Sequence, residues 1–111
     1  MSTQNITFIG GGNMARSLIG GLISDAFPPQ NITVADPDQN TLNDLQQRFG
    51  IHTASDNLSA LHNAEVVVLA VKPQLLHSVI KQLKTQLQQQ QPLLVSIAAG
   101  VREQSITQWL G

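Results

Sequence analysis

The sequence predicts an α/β domain with a doubly wound parallel sheet, and three observations carry that expectation. Short runs rich in Ile, Val and Leu alternate with longer stretches whose apolar residues recur at helical spacing. The links between them are short, so each helix must fold back across the sheet by a right-handed crossover. Three consecutive glycines, Gly10, Gly11 and Gly12, separate the first apolar run from the first helical one.

The first strand is Ile6-Thr7-Phe8-Ile9, apolar except for Thr7. After the glycines, Met14, Ala15, Leu18, Ile19, Leu22 and Ile23 recur in pairs four apart, which predicts one apolar stripe on a helix of about three turns. In that setting G-x-G-x-x-A has a mechanical meaning. Gly10 allows a tight turn out of the strand, Gly12 has no side chain to block a pyrophosphate, and Ala15 lets the helix pack closely on the sheet. The free N–H groups and positive dipole end of the helix then face the phosphates. This is a Rossmann-type dinucleotide fingerprint; the plainer alternative is a flexible glycine turn.

Phe27-Pro28-Pro29-Gln30-Asn31 makes the next loop, since proline cannot continue a helix. Ile32-Thr33-Val34-Ala35 is the second strand. Leu42, Leu45 and Phe49 share a face of the second helix, and Gly50 stops it. Ile51-His52-Thr53 is a brief third strand, after which Asp56 or Asn57 caps a short helix containing Leu58 and Leu61. Val66 to Val71 is apolar without alternation, as a strand covered on both faces should be. Pro73 suits the first position of the following helix, whose apolar side is Leu76, Val79, Ile80, Leu83 and Leu87. Gln88 to Gln91 reads as a polar helix end and loop. Leu93 to Ile97 is the last strand, Ala98-Ala99-Gly100 turns out of it, and residues 105–110 form a final short helix ending in Trp109 and Leu110. That apolar end is expected to cover the sheet edge or to meet a further segment.

With 111 residues the chain is expected to form one domain, 1–111, long enough for a real core. Its 6 Lys and Arg nearly balance its 7 Asp and Glu without clustering, which argues against a nucleic-acid or membrane-surface partner. The absence of cysteine excludes a disulfide framework and a thiolate metal site. Met1 to Asn5 is short and polar with no cationic-apolar leader, and no apolar run approaches membrane-spanning length. A soluble, cytoplasmic protein is the expectation.

In a doubly wound sheet, ligands sit beyond the carboxyl ends of the strands. The segments there are Gly10 to Asn13, Asp36, Lys72-Pro73 and Ala98 to Gly100, with Asn57 nearby, and they are expected to line a single crevice. Asp36 lies where an acidic residue holds the ribose 2′-hydroxyl of NAD, and its carboxylate would repel the 2′-phosphate of NADP. The same residue, with Pro37 at the first helical position and Gln39 at the third, also suits a helix cap. Lys72 is expected to act through its backbone rather than its side chain, because Pro73 fixes the turn. His52, His62 and His77 lack metal-ligand spacing, so no metal is expected, and Ser96 has no nucleophile elbow around it.

Three stretches together, Phe8-Ile9-Gly10-Gly11-Gly12-Asn13-Met14-Ala15, Leu69-Ala70-Val71-Lys72-Pro73-Gln74 and Val95-Ser96-Ile97-Ala98-Ala99-Gly100-Val101, resemble the amino-terminal half of pyrroline-5-carboxylate reductase, over essentially the whole chain. Related β-hydroxyacid dehydrogenases share only the first of them. The resemblance implies NAD(P)H-dependent reduction of 1-pyrroline-5-carboxylate to proline. It implies that Ile9, Gly10, Gly11, Gly12, Asn13 and Met14 bind pyrophosphate, that Asp36 faces the adenosine ribose and that Asn57 contacts the adenosine half. Ala70, Val71, Lys72 and Pro73, with Ile97, Ala98 and Ala99, would border the nicotinamide. The family favours NADPH, whereas Asp36 favours NADH. The family's helical second domain makes the homo-oligomer and completes the substrate pocket, including a hydroxyl that assists proton delivery. This chain is expected to lack it, and so to bind dinucleotide weakly and turn over little. The alternatives are a free-standing dinucleotide-binding module without catalysis, a related oxidoreductase domain, or a fragment of a longer reductase.

Overall fold

A computed structural model describes residues 4–97. Among them, five strands form one parallel sheet: β1 (Ile6–Ile9), β2 (Ile32–Ala35), β3 (His52–Ala54), β4 (Val66–Leu69) and β5 (Leu93–Ser96). The helices are α1 (Asn13–Ser24), α2 (Gln39–Phe49), α3 (Asn57–Ala60) and α4 (Pro73–Gln90). The strand order is β3-β2-β1-β4-β5. From β1 the chain winds outward through β2 and β3, then crosses back to β4 and β5 on the other side. The direction of winding therefore switches between β1 and β4, where such sheets open a crevice. The register keeps the three inner strands level: Ile9 lies opposite Ala35 on one side and Leu69 on the other.

Both faces of the sheet are covered, which is why the inner strands carry apolar side chains in both directions. Phe8, Val34 and Val68 pack with Ala15 and Ile19 of α1 and with Leu42 and Leu45 of α2. Ile9, Val67 and Leu69 pack on the opposite face with Leu76, Ile80, Leu83 and Leu87, the stripe of α4 that its spacing predicts. Thr7, the polar interruption of the first strand, is buried, and its Oγ1 donates to the Ala60 carbonyl at 2.7 Å. That bond fastens α3 beneath the sheet and satisfies a hydroxyl that burial would otherwise penalise.

Several boundaries follow the expected chemistry. Pro73 opens α4, and Gly50 ends α2 at φ +69°. Asp56, rather than Asn57, caps α3, accepting from the Leu58 and Ser59 amides. The glutamine run stays helical to Gln90, and Gln90 Nε2 donates to the Leu61 carbonyl at 2.8 Å. The third strand lies one residue later than its sequence pattern suggests.

The α1 stripe is narrower than expected. Ala15 and Ile19 are buried, but Met14 is 59% and Leu18 43% exposed. The small Ala15 draws the helix onto the sheet along one line, and the Met14 and Leu18 flank overhangs the β5 side. There Leu93 and Val95 are exposed as well, so among the described residues nothing covers that flank. Leu58 is likewise exposed rather than packed. The turn at Ala98 to Gly100 and the final helix with Trp109 lie outside the described residues. No helix among the described residues is long and apolar enough to cross a membrane.

Candidate functional site

The site begins where the β1 ladder runs out. Gly10 N–H donates to the Ala35 carbonyl and Ala70 N–H to the Ile9 carbonyl, both at 2.8 Å, as the last rungs on either side of β1. The chain then turns at Gly10, whose φ of +104° is a conformation that side chains disfavour. Gly12 forms the cap position of α1, and the first helical bond runs from Arg16 N–H to the Gly12 carbonyl at 3.0 Å. No side chain caps this helix and its first turn holds no acidic residue. The leading amides of α1 therefore face outward with the positive end of the helix dipole behind them.

The three glycines have different surroundings. A β-carbon on Gly10 would lie 2.7 Å from the Ala70 carbonyl oxygen, and one on Gly11 would lie 3.0 Å from Leu45 Cδ1 and 3.1 Å from Thr41 Cγ2. One on Gly12 would meet nothing within 4 Å. Gly10 is thus required by packing and Gly11 lies tightly against α2 side chains, whereas the space over Gly12 is open, a cradle that a side chain would fill. A pyrophosphate fits that cradle: it needs close backbone approach, unclaimed amides and a helix N-terminus.

The cradle opens into a crevice of about 380 Å3 at the β1–β4 switch. Ile9, Gly10, Gly11, Gly12, Asp36, Asn57, Ala70, Val71 and Lys72 line it. Asp36 stands beyond β2 and Lys72 beyond β4, so these two charged residues of the lining come from opposite sides of β1. Lys72 occupies the cap position of α4, and its carbonyl accepts from Leu75 N–H at 2.9 Å.

Asn13, Met14 and Ile97 are not in this lining; with Ser17 and Leu18 they line a hollow of about 350 Å3 at the start of α1. Pro73 lines neither, being used to start α4. Ala98 and Ala99 lie outside the described residues. Ala35, Pro37, Leu75 and Val79 line the main crevice and were missed by sequence reasoning. Leu75 and Val79 are four apart on α4 beside its buried stripe, a signal that the spacing does carry.

Asp36 is not the cap of α2. Asp38 is, accepting from Asn40 N–H at 3.0 Å, and the helix starts at Gln39. Asp36 instead accepts Asp38 N–H on Oδ1 and Gly11 N–H on Oδ2, each at 2.9 Å. With Asp38 placed to cap, Asp36 is released to join the two loops. Asn57 reaches toward α4, its Nδ2 donating to Gln82 Oε1 at 3.4 Å.

Comparison with known proteins shows the family. The family model for NADP oxidoreductase, coenzyme F420-dependent, matches residues 5–100. The pyrroline-5-carboxylate reductase of Vibrio alginolyticus is 45% identical over 101 residues, which is 91% of this chain and 37% of that protein. That of Pseudomonas aeruginosa is 44% identical over 111 residues, or 100% of this chain and 40% of its own length. The structure of a pyrroline-5-carboxylate reductase from Coxiella burnetii superposes with a TM-score of 0.94 at 44% identity, covering 99% of this chain and 41% of that one. The chain spans about two fifths of the length of these relatives. The likeness that the three sequence motifs carry is therefore shown, and the chain belongs to the NADP oxidoreductase, coenzyme F420-dependent, family.

Proposed function

We propose that this chain is the dinucleotide-binding domain of a pyrroline-5-carboxylate reductase, and that the full enzyme reduces 1-pyrroline-5-carboxylate to proline with NADPH or NADH. The observation that carries this is the open cradle over Gly12 beneath an uncapped helix, at the point where the sheet reverses its winding. When bound, the cofactor supplies a hydride to the imine carbon. The chain itself holds and orients. The Gly12 cradle and leading α1 amides take the pyrophosphate, Asp36 and Asn57 flank the adenosine end, and Ala70 to Lys72 wall the crevice beyond β4. Leu75 and Val79 make that wall apolar, a surface on which the adenine ring can pack.

Under this assignment the remainder of the longer reductases supplies the substrate pocket, the proton donor and the homo-oligomer contact. The protein is then a cytoplasmic enzyme acting on a small molecule rather than on nucleic acid or membrane. Calorimetric titration of NADPH and NADH into the wild-type chain and into Gly12→Val tests the assignment. The variant should bind at least about tenfold more weakly, or about 1.4 kcal/mol, with its thermal midpoint unchanged. Equal affinity in the two proteins overturns it.

A further inference from the structure

We propose that Asp36 is a positioning residue: its carboxylate holds the glycine bend in the shape that receives pyrophosphate, independently of any ribose contact. The assignment rests on the dinucleotide reading above and adds to it a specific mechanical part. Gly10 N–H is spent on the last rung to Ala35, so Gly11 N–H is the first amide of the bend without a place in the sheet. It turns to Asp36 Oδ2, 25 residues along the chain, at 2.9 Å. Oδ1 of the same carboxylate is taken by Asp38 N–H at 2.9 Å, so the group is fixed at both oxygens.

The other backbone polar atom of Gly11 is held too. Its carbonyl accepts from Arg16 Nε at 3.3 Å, and Arg16 Nη1 pairs with Asp44 Oδ2 of α2 at 2.8 Å. Gly11 is thereby drawn against α2, and the face of Gly12 is left toward the crevice. Pre-ordering of this kind removes an entropic cost that the ligand would otherwise meet on binding.

The chemistry gives the proposal a sign. A carboxylate beside an anion site repels the anion, so removing its charge alone should tighten binding. Alanine removes the charge and both acceptor oxygens together, whereas asparagine keeps one oxygen that can still take Gly11 N–H. If Asp36 acts by holding the bend, Asp36→Ala must therefore weaken binding even of an anion that has no ribose.

The test measures inorganic pyrophosphate and NADH binding by the 111-residue chain and by Asp36→Ala, with hydrogen exchange at the Gly11 amide of each. Pyrophosphate and NADH should both bind about three- to tenfold more weakly to the variant, the scale of one lost hydrogen bond. Gly11 exchange should speed up at least about tenfold while the β1 amides stay protected. Pyrophosphate binding that is unchanged or tighter in the variant, with NADH alone weakened, overturns the proposal and leaves a ribose contact. Should the variant fail to fold, exchange in the wild type decides: a Gly11 amide as labile as an open loop overturns the latch. A wild type that binds neither ligand sinks the dinucleotide reading, and this assignment with it.

Discussion

Gly10 and Ala70 touch backbone to backbone: a β-carbon on Gly10 would lie 2.7 Å from the Ala70 carbonyl oxygen and 2.9 Å from its carbonyl carbon. The exits of β1 and β4 are thus pressed together at the place where the winding of the sheet reverses. Neither side can yield cheaply, because both are main chain. Gly10→Ala is expected to destabilise the fold by at least about 1–3 kcal/mol, the usual scale for a forced left-handed residue, with the overlap adding to it. Urea denaturation measures this as a lowered midpoint at unchanged slope.

The next two glycines should behave differently from the first and from each other. Gly11→Ala pushes against Leu45, Thr41 and Val34 at 3.0 to 3.2 Å, so α2 must give slightly and stability should fall by about 1 kcal/mol. Gly12→Ala meets open space and should stay within about 0.5 kcal/mol of wild type. A ranking of midpoints other than Gly12→Ala above Gly11→Ala above Gly10→Ala contradicts the packing described for the bend.

The cap of α2 is assigned to Asp38, whose Oδ1 takes the Asn40 amide and whose Oδ2 takes the Thr41 hydroxyl at 3.1 Å. Asp38→Ala should cost about 1 kcal/mol of stability and leave dinucleotide affinity unaltered. An equal loss of affinity and stability in this variant would mean that the two aspartates share their roles.

Asp56 supplies a pH-dependent prediction. The Ser59 hydroxyl at 2.9 Å, then the Ser59 and Leu58 amides, hold its carboxyl below the usual carboxylate range. A carboxyl whose folded value is depressed stabilises the fold above its unfolded value, and that contribution is lost as pH falls through the folded value. Stability should thus decline on acidification through and below the ordinary carboxylate range. Asp56→Ala should show a shallower decline than wild type over the same interval in acid-unfolding curves.

Much of this architecture was legible because local and global signals agree. Val66 to Val71 had to hold an inner strand, which runs over Val66–Leu69, Pro73 had to start a helix, and strand, glycines and Ala15 together predicted the bend. What was hidden depends on residues distant in the chain. Asp36 and Asp38 are both good caps by type; the choice is decided by Gly11 N–H, 25 residues away, which engages Asp36. Six apolar positions in α1 describe a stripe, but the width that is buried depends on its neighbours, and Met14 and Leu18 stay exposed. Thr7 looks like a blemish in an apolar strand until Ala60 is found 2.7 Å from its hydroxyl. That Asn13, Met14 and Ile97 line a hollow with Ser17 and Leu18 is likewise something spacing alone does not give.

The central claim is that a pyrophosphate sits on the bend between β1 and α1, and amide chemical-shift mapping during NADH titration tests it most directly. The account predicts the largest shifts at Gly12, Asn13 and Met14, saturating together with those of Asp36 and Ala70. A larger groove of about 490 Å3 between α1 and α2 offers the contrary outcome. Shifts centred there on Ser17, Gly20 and Phe49, with the glycine amides unmoved, would contradict the account.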